Sequence, residues 1–349
     1  MRVSGRCLLA ALLLAAPIPA SAQEELSVRA CSPGSAIAEA GFVPIGGAEQ
    51  WVTLRGADCG NPMILFLHGG PGNPMSPYSR TIFEAWERDF TIVQWDQRGS
   101  GRTYGRNPQL AEEELTVSRM VADGIELAAR LTAISGQPKI VIVGTSWGSV
   151  LGAHMARLRP DLFHAYVGVS QLVGYRGNQQ ATYARMVSLA RAANDAQTLA
   201  TLEQLGPPPW SNPRNFGIMR RAIRAYEGRS TIAGPDSWWV RSPEYATPAR
   251  LEEYEAGEDH SYIQFVGLAG DGMFSGIDLR HAGNRFDIPF FLVHGAEDIL
   301  TVPEVARDYF DSIYAPEKRF ILLPRSGHDP NAAAMDAVYE LLKERAARW

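Results

Sequence analysis

Residues 139–149 read Lys-Ile-Val-Ile-Val-Gly-Thr-Ser-Trp-Gly-Ser, and the rest of the chain is arranged around them. The β-branched half is typical of a buried strand, and the Gly-x-Ser-x-Gly that follows is typical of a sharp turn from strand into helix. Gly144 and Gly148 lack the Cβ atoms that would collide where strand and helix come close. We therefore expect Ser146 at the tip of the turn, with its hydroxyl facing a cleft.

Strands and helices alternate on both sides of this turn. Continuous apolar runs typical of central strands lie at 63–67, 90–95, 165–169, 290–294 and 320–323. Apolar residues at helical spacing predict helices at about 116–134, 149–158 and 332–347. Such alternation indicates the α/β class, with a mostly parallel sheet covered by helices on both faces.

Between residues 171 and 286 the pattern changes to candidate helices without a convincing buried strand. They fall at 179–193, 195–205, 215–226 and 248–256. We interpret this segment as an inserted helical cap that lies over the sheet edge and walls a substrate pocket. The predicted organisation is a signal peptide (1–22), the first part of the core (23–170), the cap (171–286) and the second part of the core (287–349).

The first 22 residues have the pattern of a secretory signal peptide. Arg2 and Arg6 precede an apolar run at 7–16, and Ala20-Ser21-Ala22 provides a cleavage site. We expect cleavage after Ala22 and export to the periplasm or beyond, with an uncleaved membrane anchor as the alternative. The apolar run is shorter than the roughly 20 residues of a membrane span, and no later run is long enough.

Removal of Arg2 and Arg6 changes the formal net charge from −5 to −7. A mildly acidic chain gives no reason to expect nucleic acid as a partner. No histidine pair or Cys/His cluster has metal-ligand spacing, so we expect no metal and no cofactor.

Three cysteines are present, and Cys7 lies in the predicted signal peptide. In an oxidising compartment, Cys31 and Cys59 are expected to form a disulfide worth about 3 to 4 kcal/mol on the loop-entropy model. Two unpaired thiols are the alternative.

A serine hydroxyl becomes a good nucleophile when a histidine takes its proton and a carboxylate orients that histidine. Asp298 and His328 each follow a later predicted strand, and the order Ser146, Asp298, His328 is that of an α/β-hydrolase. Glu297 competes with Asp298 for the acid's role, whereas Asp329 lies too close along the chain to orient His328 easily.

A second loop, His68-Gly69-Gly70-Pro71-Gly72, follows the strand at 63–67. Adjacent glycines let backbone N–H groups approach a ligand. We expect an oxyanion hole formed by the N–H of Trp147 and those of Gly69 or Gly70. Haloalkane or epoxide chemistry would need a carboxylate where this chain has Ser146.

Three motifs together resemble the prolyl iminopeptidase family of α/β-hydrolases. They are the loop at 68–72, Asp96-Gln97-Arg98-Gly99-Ser100-Gly101, and Gly144-Thr145-Ser146-Trp147-Gly148-Ser149. The resemblance covers about 62–169 and 288–328. It implies a serine peptidase fold with a helical cap, in which cap carboxylates bind the free α-amino group of the substrate.

One cap motif of that family, Glu-Asn-His followed by an aromatic residue, is echoed by residues 258–262, which makes Glu258 a candidate substrate-binding residue. The other, Trp-x-x-Trp-Glu, has no match, because no glutamate follows Trp238 and Trp239 at that spacing. Glu258 also belongs to an acidic cluster with Glu252, Glu253 and Glu255, which is either an amine site or a solvated helix face. Trp210 and Trp238 either line the pocket or belong to the core of the cap.

The sequence thus predicts an exported, cofactor-free serine hydrolase that releases an N-terminal proline or similar residue through an acyl-enzyme at Ser146. A carboxylic-ester hydrolase on the same residues is the first alternative, and a non-catalytic binding protein is the second. The expected partner is a small peptide, amide or ester, and the oligomeric state is left open.

Overall fold

The computed structural model describes Leu26 and residues 32–349. The predicted signal peptide and Cys31 lie outside these described residues. Cys59 is disulfide-bonded, and Cys31 is the partner that the sequence predicts for it. No helix in the described part of the chain is long and apolar enough to cross a membrane.

The described residues contain one sheet of eight strands. The strands are β1 (Ile37–Ile45), β2 (Ala48–Gly56), β3 (Met63–Leu67), β4 (Thr91–Trp95), β5 (Ile140–Thr145), β6 (Phe163–Val169), β7 (Phe290–Gly295) and β8 (Lys318–Leu323). Their order is β1-β2-β4-β3-β5-β6-β7-β8. The β1–β2 and β2–β4 pairs are antiparallel and all the others are parallel. The carboxyl ends of the parallel strands therefore share one edge of the sheet.

Helices connect these strands. They are α1 (Ser79–Ile82), α2 (Gly101–Arg106), α3 (Val117–Ser135), α4 (Trp147–Leu158), α5 (Tyr175–Ala192), α6 (Ala196–Leu205), α7 (Pro213–Ser230), α8 (Pro248–Val266), α9 (Leu279–Ala282), α10 (Pro303–Ser312) and α11 (Ala332–Ala346).

Both faces of the sheet are buried. Successive side chains of a strand point to opposite faces, so neighbouring residues of one strand pack in different clusters. In β3, Leu65 and Leu67 pack in a cluster with residues of α3, α4 and α10. Ile64 and Phe66 pack in a second cluster with residues of α1 and α11. The predicted fold class, a mostly parallel sheet with helices on both faces, is confirmed.

Between β6 and β7 the described chain forms helices α5 to α9 and no strand of the sheet. A separate apolar cluster holds α5, α6 and α7 together and includes Trp210. Ile299, from the loop after β7, completes this cluster. The inserted helices therefore share a core with a loop of the sheet domain.

Helix α8 is longer than its sequence predicts. The sequence suggests an end near residue 256, since Gly257 is a poor residue for a helix interior. In the structure α8 continues to Val266. A Cβ atom on Gly257 would lie 2.9 Å from the backbone nitrogen of Gly101 and 3.1 Å from the Cα of Ser100. Gly257 thus lets the helix pass close to the loop after β4.

Candidate active site

Ser146 lies at the tip of a tight turn between β5 and α4. Its φ of 50° and ψ of −116° are unusual for a residue with a side chain. Its N–H donates to the carbonyl of Val169 on the neighbouring strand at 3.0 Å. A Cβ on Gly148 would lie 2.0 Å from the carbonyl oxygen of Leu67, and one on Gly144 would lie 2.4 Å from the carbonyl oxygen of Gly148. Both glycines are therefore required by the close approach that the turn makes.

His328 and Asp298 come from the loops after β8 and β7, and the structure brings both to Ser146. The Nε2 of His328 lies 3.0 Å from the Oγ of Ser146. Its Nδ1 lies 3.1 Å from Oδ2 and 3.2 Å from Oδ1 of Asp298. Asp298 is fully buried, and Thr301 donates to it from both its backbone N–H and its hydroxyl at 2.7 Å. Asp298, rather than the neighbouring Glu297, faces the imidazole.

Burial and mutual contact set the pKa values of Asp298 and His328. Burial raises the pKa of Asp298, but the charge and hydrogen bond of His328 outweigh it and hold that pKa at about 2. Burial lowers the pKa of His328, but the charge and hydrogen bond of Asp298 leave it raised above its ordinary value. Asp298 is thus ionised at neutral pH and stabilises the protonated form of His328, as a general base requires.

A second buried histidine lies behind the carboxylate. His294 Nε2 is 3.4 Å from Oδ2 of Asp298 and 2.5 Å from the carbonyl oxygen of Thr301. Burial lowers its pKa below the ordinary value despite the charge of Asp298. A neutral His294 donates to the Thr301 carbonyl and helps to fix the loop that carries Asp298.

The predicted oxyanion-hole residues lie on either side of Ser146. Trp147 is the first residue of α4, where a backbone N–H has no partner within the helix. Gly70 lines the same cavity as Ser146, and a Cβ on Gly69 would lie 3.4 Å from the Cβ of Ser146. The backbone of the loop at 68–72 therefore runs directly against the serine turn.

His68 braces that loop from inside the protein. Burial lowers its pKa to about 4, so its ring is neutral, and its Nε2 accepts the N–H of Gln97 at 3.2 Å. The amide of Gln97 joins the loop to the serine turn. It donates to the His68 carbonyl at 3.2 Å and accepts from the indole N–H of Trp147 at 3.0 Å.

A cavity of about 110 Å³ extends from Ser146 into the cap. Its apolar wall includes Leu172, Trp210, Phe216, Met219, Phe265 and Phe274. Trp210 thus lies where the sequence suggests, although it also belongs to the core of the cap.

Trp238 and Glu258 are not among the residues that line this cavity. Trp238 packs beside α1, where its carbonyl accepts the hydroxyl of Thr81 at 2.9 Å. Glu258 is exposed, and its backbone lies close to Gly72. A Cβ atom on Gly72 would lie 2.9 Å from the Cα of Glu258.

Glu227, on α7 of the cap, was not found by sequence reasoning. It is 7% exposed, and its carboxylate accepts the N–H of Ile299 at 2.7 Å and that of His328 at 3.1 Å. One cap residue therefore joins the loop that carries Asp298 to the loop that carries His328. A motif search that allows other residues at the two tryptophan positions could have found it. Ile223-x-x-Tyr226-Glu227 has the spacing of Trp-x-x-Trp-Glu, with the glutamate directly after an aromatic residue.

Among the described residues, no group of three or more His, Cys, Asp or Glu side chains is placed to hold a metal ion. The groups that the structure does bring together at this site are the Ser146 hydroxyl, the His328 imidazole and the backbone N–H donors beside them.

The chain belongs to the α/β hydrolase fold family, whose model matches residues 62–332. Within that family it is 31% identical over 294 residues to a probable aminopeptidase, YbaC, of Bacillus subtilis, covering 82% of this chain and 89% of that protein. It is 25% identical over 311 residues to a proline iminopeptidase of Neisseria gonorrhoeae, covering 82% and 90% of the two chains. The predicted resemblance to prolyl iminopeptidases is confirmed.

Solved structures share the fold. A proline iminopeptidase from Mycobacterium smegmatis superposes with a TM-score of 0.61 at 20% identity, covering 88% of this chain and 99% of that one. An epoxide hydrolase from Vigna radiata gives a TM-score of 0.52 at 19% identity, covering 89% and 98%. Because different activities occur on this fold, the function must be argued from the site.

Proposed function

We propose that this protein is a serine hydrolase that releases N-terminal proline, or a similar residue, from peptides through an acyl-enzyme at Ser146. The observation that carries this proposal is the pair of contacts made by His328, whose Nε2 lies 3.0 Å from the Ser146 Oγ and whose Nδ1 lies 3.1 Å from Asp298. Distances of this size are those of a nucleophile, its base and the group that orients the base.

In the proposed reaction the Oγ of Ser146 attacks the scissile carbonyl carbon while its proton passes to Nε2 of His328. The N–H groups of Trp147 and of Gly69 or Gly70 stabilise the negative charge on the carbonyl oxygen. The C–N bond then breaks, and His328 gives its proton to the leaving amine. Water, activated by the same histidine, hydrolyses the acyl-enzyme and restores the serine.

The names of the relatives support an aminopeptidase. The relatives in Bacillus subtilis and Neisseria gonorrhoeae are named as an aminopeptidase and a proline iminopeptidase, and both match over most of their length. Epoxide hydrolases share only the fold, and the residue at the turn here is Ser146 rather than a carboxylate.

An ester hydrolase is the second candidate, because the wall of the cavity is mostly apolar. An apolar acyl group would bury well against Phe216, Phe265 and Phe274. The same nucleophile and base would serve, since an ester is cleaved through the same acyl-enzyme.

The test is hydrolysis of proline β-naphthylamide, N-acyl-proline β-naphthylamide and p-nitrophenyl esters, with Ser146→Ala as the control. Turnover of the free but not the blocked proline amide, lost in Ser146→Ala, is the expected result. Turnover of esters alone would assign the protein to the esterases, and activity that survives in Ser146→Ala would refute the mechanism.

We also propose that the protein is exported after cleavage behind Ala22, on the pattern of the first 22 residues. Mass spectrometry of the protein recovered from its producing cell should find an N-terminus at Gln23. An intact N-terminus in the mature protein would contradict export by this route.

A further inference from the structure

The cavity above Ser146 contains a cation that no carboxylate of the described residues pairs with directly. Among the described residues that line it, Arg220 on α7 is the only charged one. No hydrogen bond or ion pair joins Arg220 to another described residue. Two other arginines of the cap do have such partners, since Arg250 is paired with Glu253 and Arg229 with Asp195.

Two buried amides in the same cavity also lack partners. Gln179 is 6% exposed, and within the described chain both its Nε2 and its Oε1 lack a hydrogen-bond partner. Asn178 is 1% exposed, and its Nδ2 lacks one too. Its Oδ1 is used, because it accepts the N–H groups of Val173 and Gly174. Buried polar groups are rarely left unpaired, so these amides indicate a polar group of a bound ligand.

The charge and the donors together select an anion. A guanidinium presents several N–H groups in a fork that matches a carboxylate, and the two amides add further donors. Burial lowers the pKa of Arg220, with the charge of Arg224 acting in the same direction, and the more distant charges of Asp329 and Glu258 oppose this without reversing it. A partly desolvated cation of this kind gains from pairing with an anion, whereas the free amine of a peptide would be repelled by it.

The size of the cavity indicates where in the substrate that anion lies. A residue extends at most about 3.3 to 3.6 Å along a chain. A carboxylate that shares a cavity of about 110 Å³ with the scissile bond therefore belongs to the first or second residue beyond that bond. In a peptide, the carboxylate present at this distance whatever the side chains is the C-terminus of a di- or tripeptide.

We propose that Arg220, assisted by Gln179 and Asn178, binds the C-terminal carboxylate of a short peptide, so that the preferred substrates are di- and tripeptides with a free C-terminus. This proposal rests on the proposed aminopeptidase function and names the substrate class for that site.

The test compares Pro-Ala with Pro-Ala amide, which differ only in the terminal carboxylate. We expect kcat/KM for Pro-Ala to exceed that for the amide by about tenfold or more, the effect of one charge-assisted contact. Arg220→Gln should bring this ratio close to one, and Arg220→Lys should keep part of it. Arg221→Gln removes the same charge from an exposed position on the same helix and should leave the ratio unchanged.

Binding to Ser146→Ala provides a second measurement that needs no turnover. Calorimetric titration should show tighter binding of Pro-Ala than of Pro-Ala amide, and Arg220→Gln should remove the difference. Equal binding or equal turnover of the two peptides overturns the proposal, even if proline β-naphthylamide is hydrolysed. A preference that appears only with an acidic side chain, in Pro-Glu amide over Pro-Gln amide, also overturns it. Failure of the proposed function is distinct, because then no proline substrate is hydrolysed.

Discussion

His328 is subject to opposing influences that together decide when Ser146 can react. Burial favours the neutral ring, whereas the charge of Asp298, its hydrogen bond and the charge of Glu227 favour the imidazolium, and the pKa is raised overall. A general base works only in its neutral form. Activity should therefore be lost as the pH falls through a value above the ordinary 6.5 of a histidine.

The measurement is kcat/KM against pH with a p-nitrophenyl ester, since an ester lacks the titrating amine of a peptide substrate. We expect the acidic limb of the profile to have its midpoint above 6.5. A midpoint below this value would mean that burial, rather than Asp298, dominates the pKa of the base.

Glu227 is a positioning residue, because it reaches the reacting groups only through the backbone of Ile299 and His328. In Glu227→Gln the side-chain oxygen can still accept one of these N–H groups, but the new NH₂ cannot accept the other. A buried N–H left unpaired costs about 1 to 3 kcal/mol. We expect kcat to fall by about tenfold with a smaller change in KM, since the loops of acid and base are no longer held together.

A purely structural effect would lower stability and leave the pH profile where it was. Because the charge of Glu227 raises the pKa of His328, the acidic limb of Glu227→Gln should move to lower pH. Glu255→Gln is the matched control, as Glu255 is exposed on α8 of the same cap. An unmoved limb in Glu227→Gln would limit this residue to a structural role.

At the scale of elements, the turn between β5 and α4 depends on an absent side chain. In Gly148→Ala the new Cβ would lie 2.0 Å from the carbonyl oxygen and 2.6 Å from the carbonyl carbon of Leu67. Since both atoms belong to the backbone of β3, helix and strand must move apart, and overpacking of this kind costs about 1 to 3 kcal/mol or more. Urea unfolding should show this loss of stability together with a loss of activity.

Gly228→Ala provides the comparison for that experiment. Gly228 lies within α7, and a Cβ there has no atom within 4 Å. Alanine is the better helix former, so the change should be neutral or stabilise the protein by up to about 1 kcal/mol. If both variants lost the same stability, the close approach of α4 to β3 would not be the reason for Gly148.

The sequence locates the parts of the site that follow strands, because the carboxyl ends of parallel strands meet at one edge. Ser146, Asp298 and His328 each lie in the turn or loop that follows a strand, and the structure brings them within hydrogen-bond distance. Helices of the cap give no such indication, since their periodicity does not say which face turns toward the sheet. Glu227 lies 72 residues from Ile299 and 101 from His328 along the chain. Contacts of that range were beyond the sequence argument, as was the continuation of α8 past Gly257.

At the scale of the whole molecule, the cap and the sheet domain are joined by shared packing and by hydrogen bonds. Ile299 of the sheet domain completes the apolar cluster of α5, α6 and α7. Glu227 of the cap holds the loops of Asp298 and His328, and Ser261 of α8 donates to the carbonyl of Gly99 at 2.7 Å. A shift of the cap would therefore displace the acid and the base as well as the wall of the cavity. We therefore expect substrate binding in the cap to affect the reaction proposed at Ser146 through these contacts.

Cys59, in the loop between β2 and β3, is disulfide-bonded. Cys31, its predicted partner, closes a loop of 29 residues with it, counted from residue 31 to residue 59. On the loop-entropy model such a crosslink stabilises the folded state by about 3 to 4 kcal/mol.

Reduction should therefore lower the free energy of unfolding, measured in urea, by about 3 to 4 kcal/mol. In the double variant Cys31→Ser, Cys59→Ser, the reductant should have no effect. Thiol titration of the denatured, unreduced mature protein should find none, because Cys7 would leave with the signal peptide. Two free thiols would contradict the crosslink.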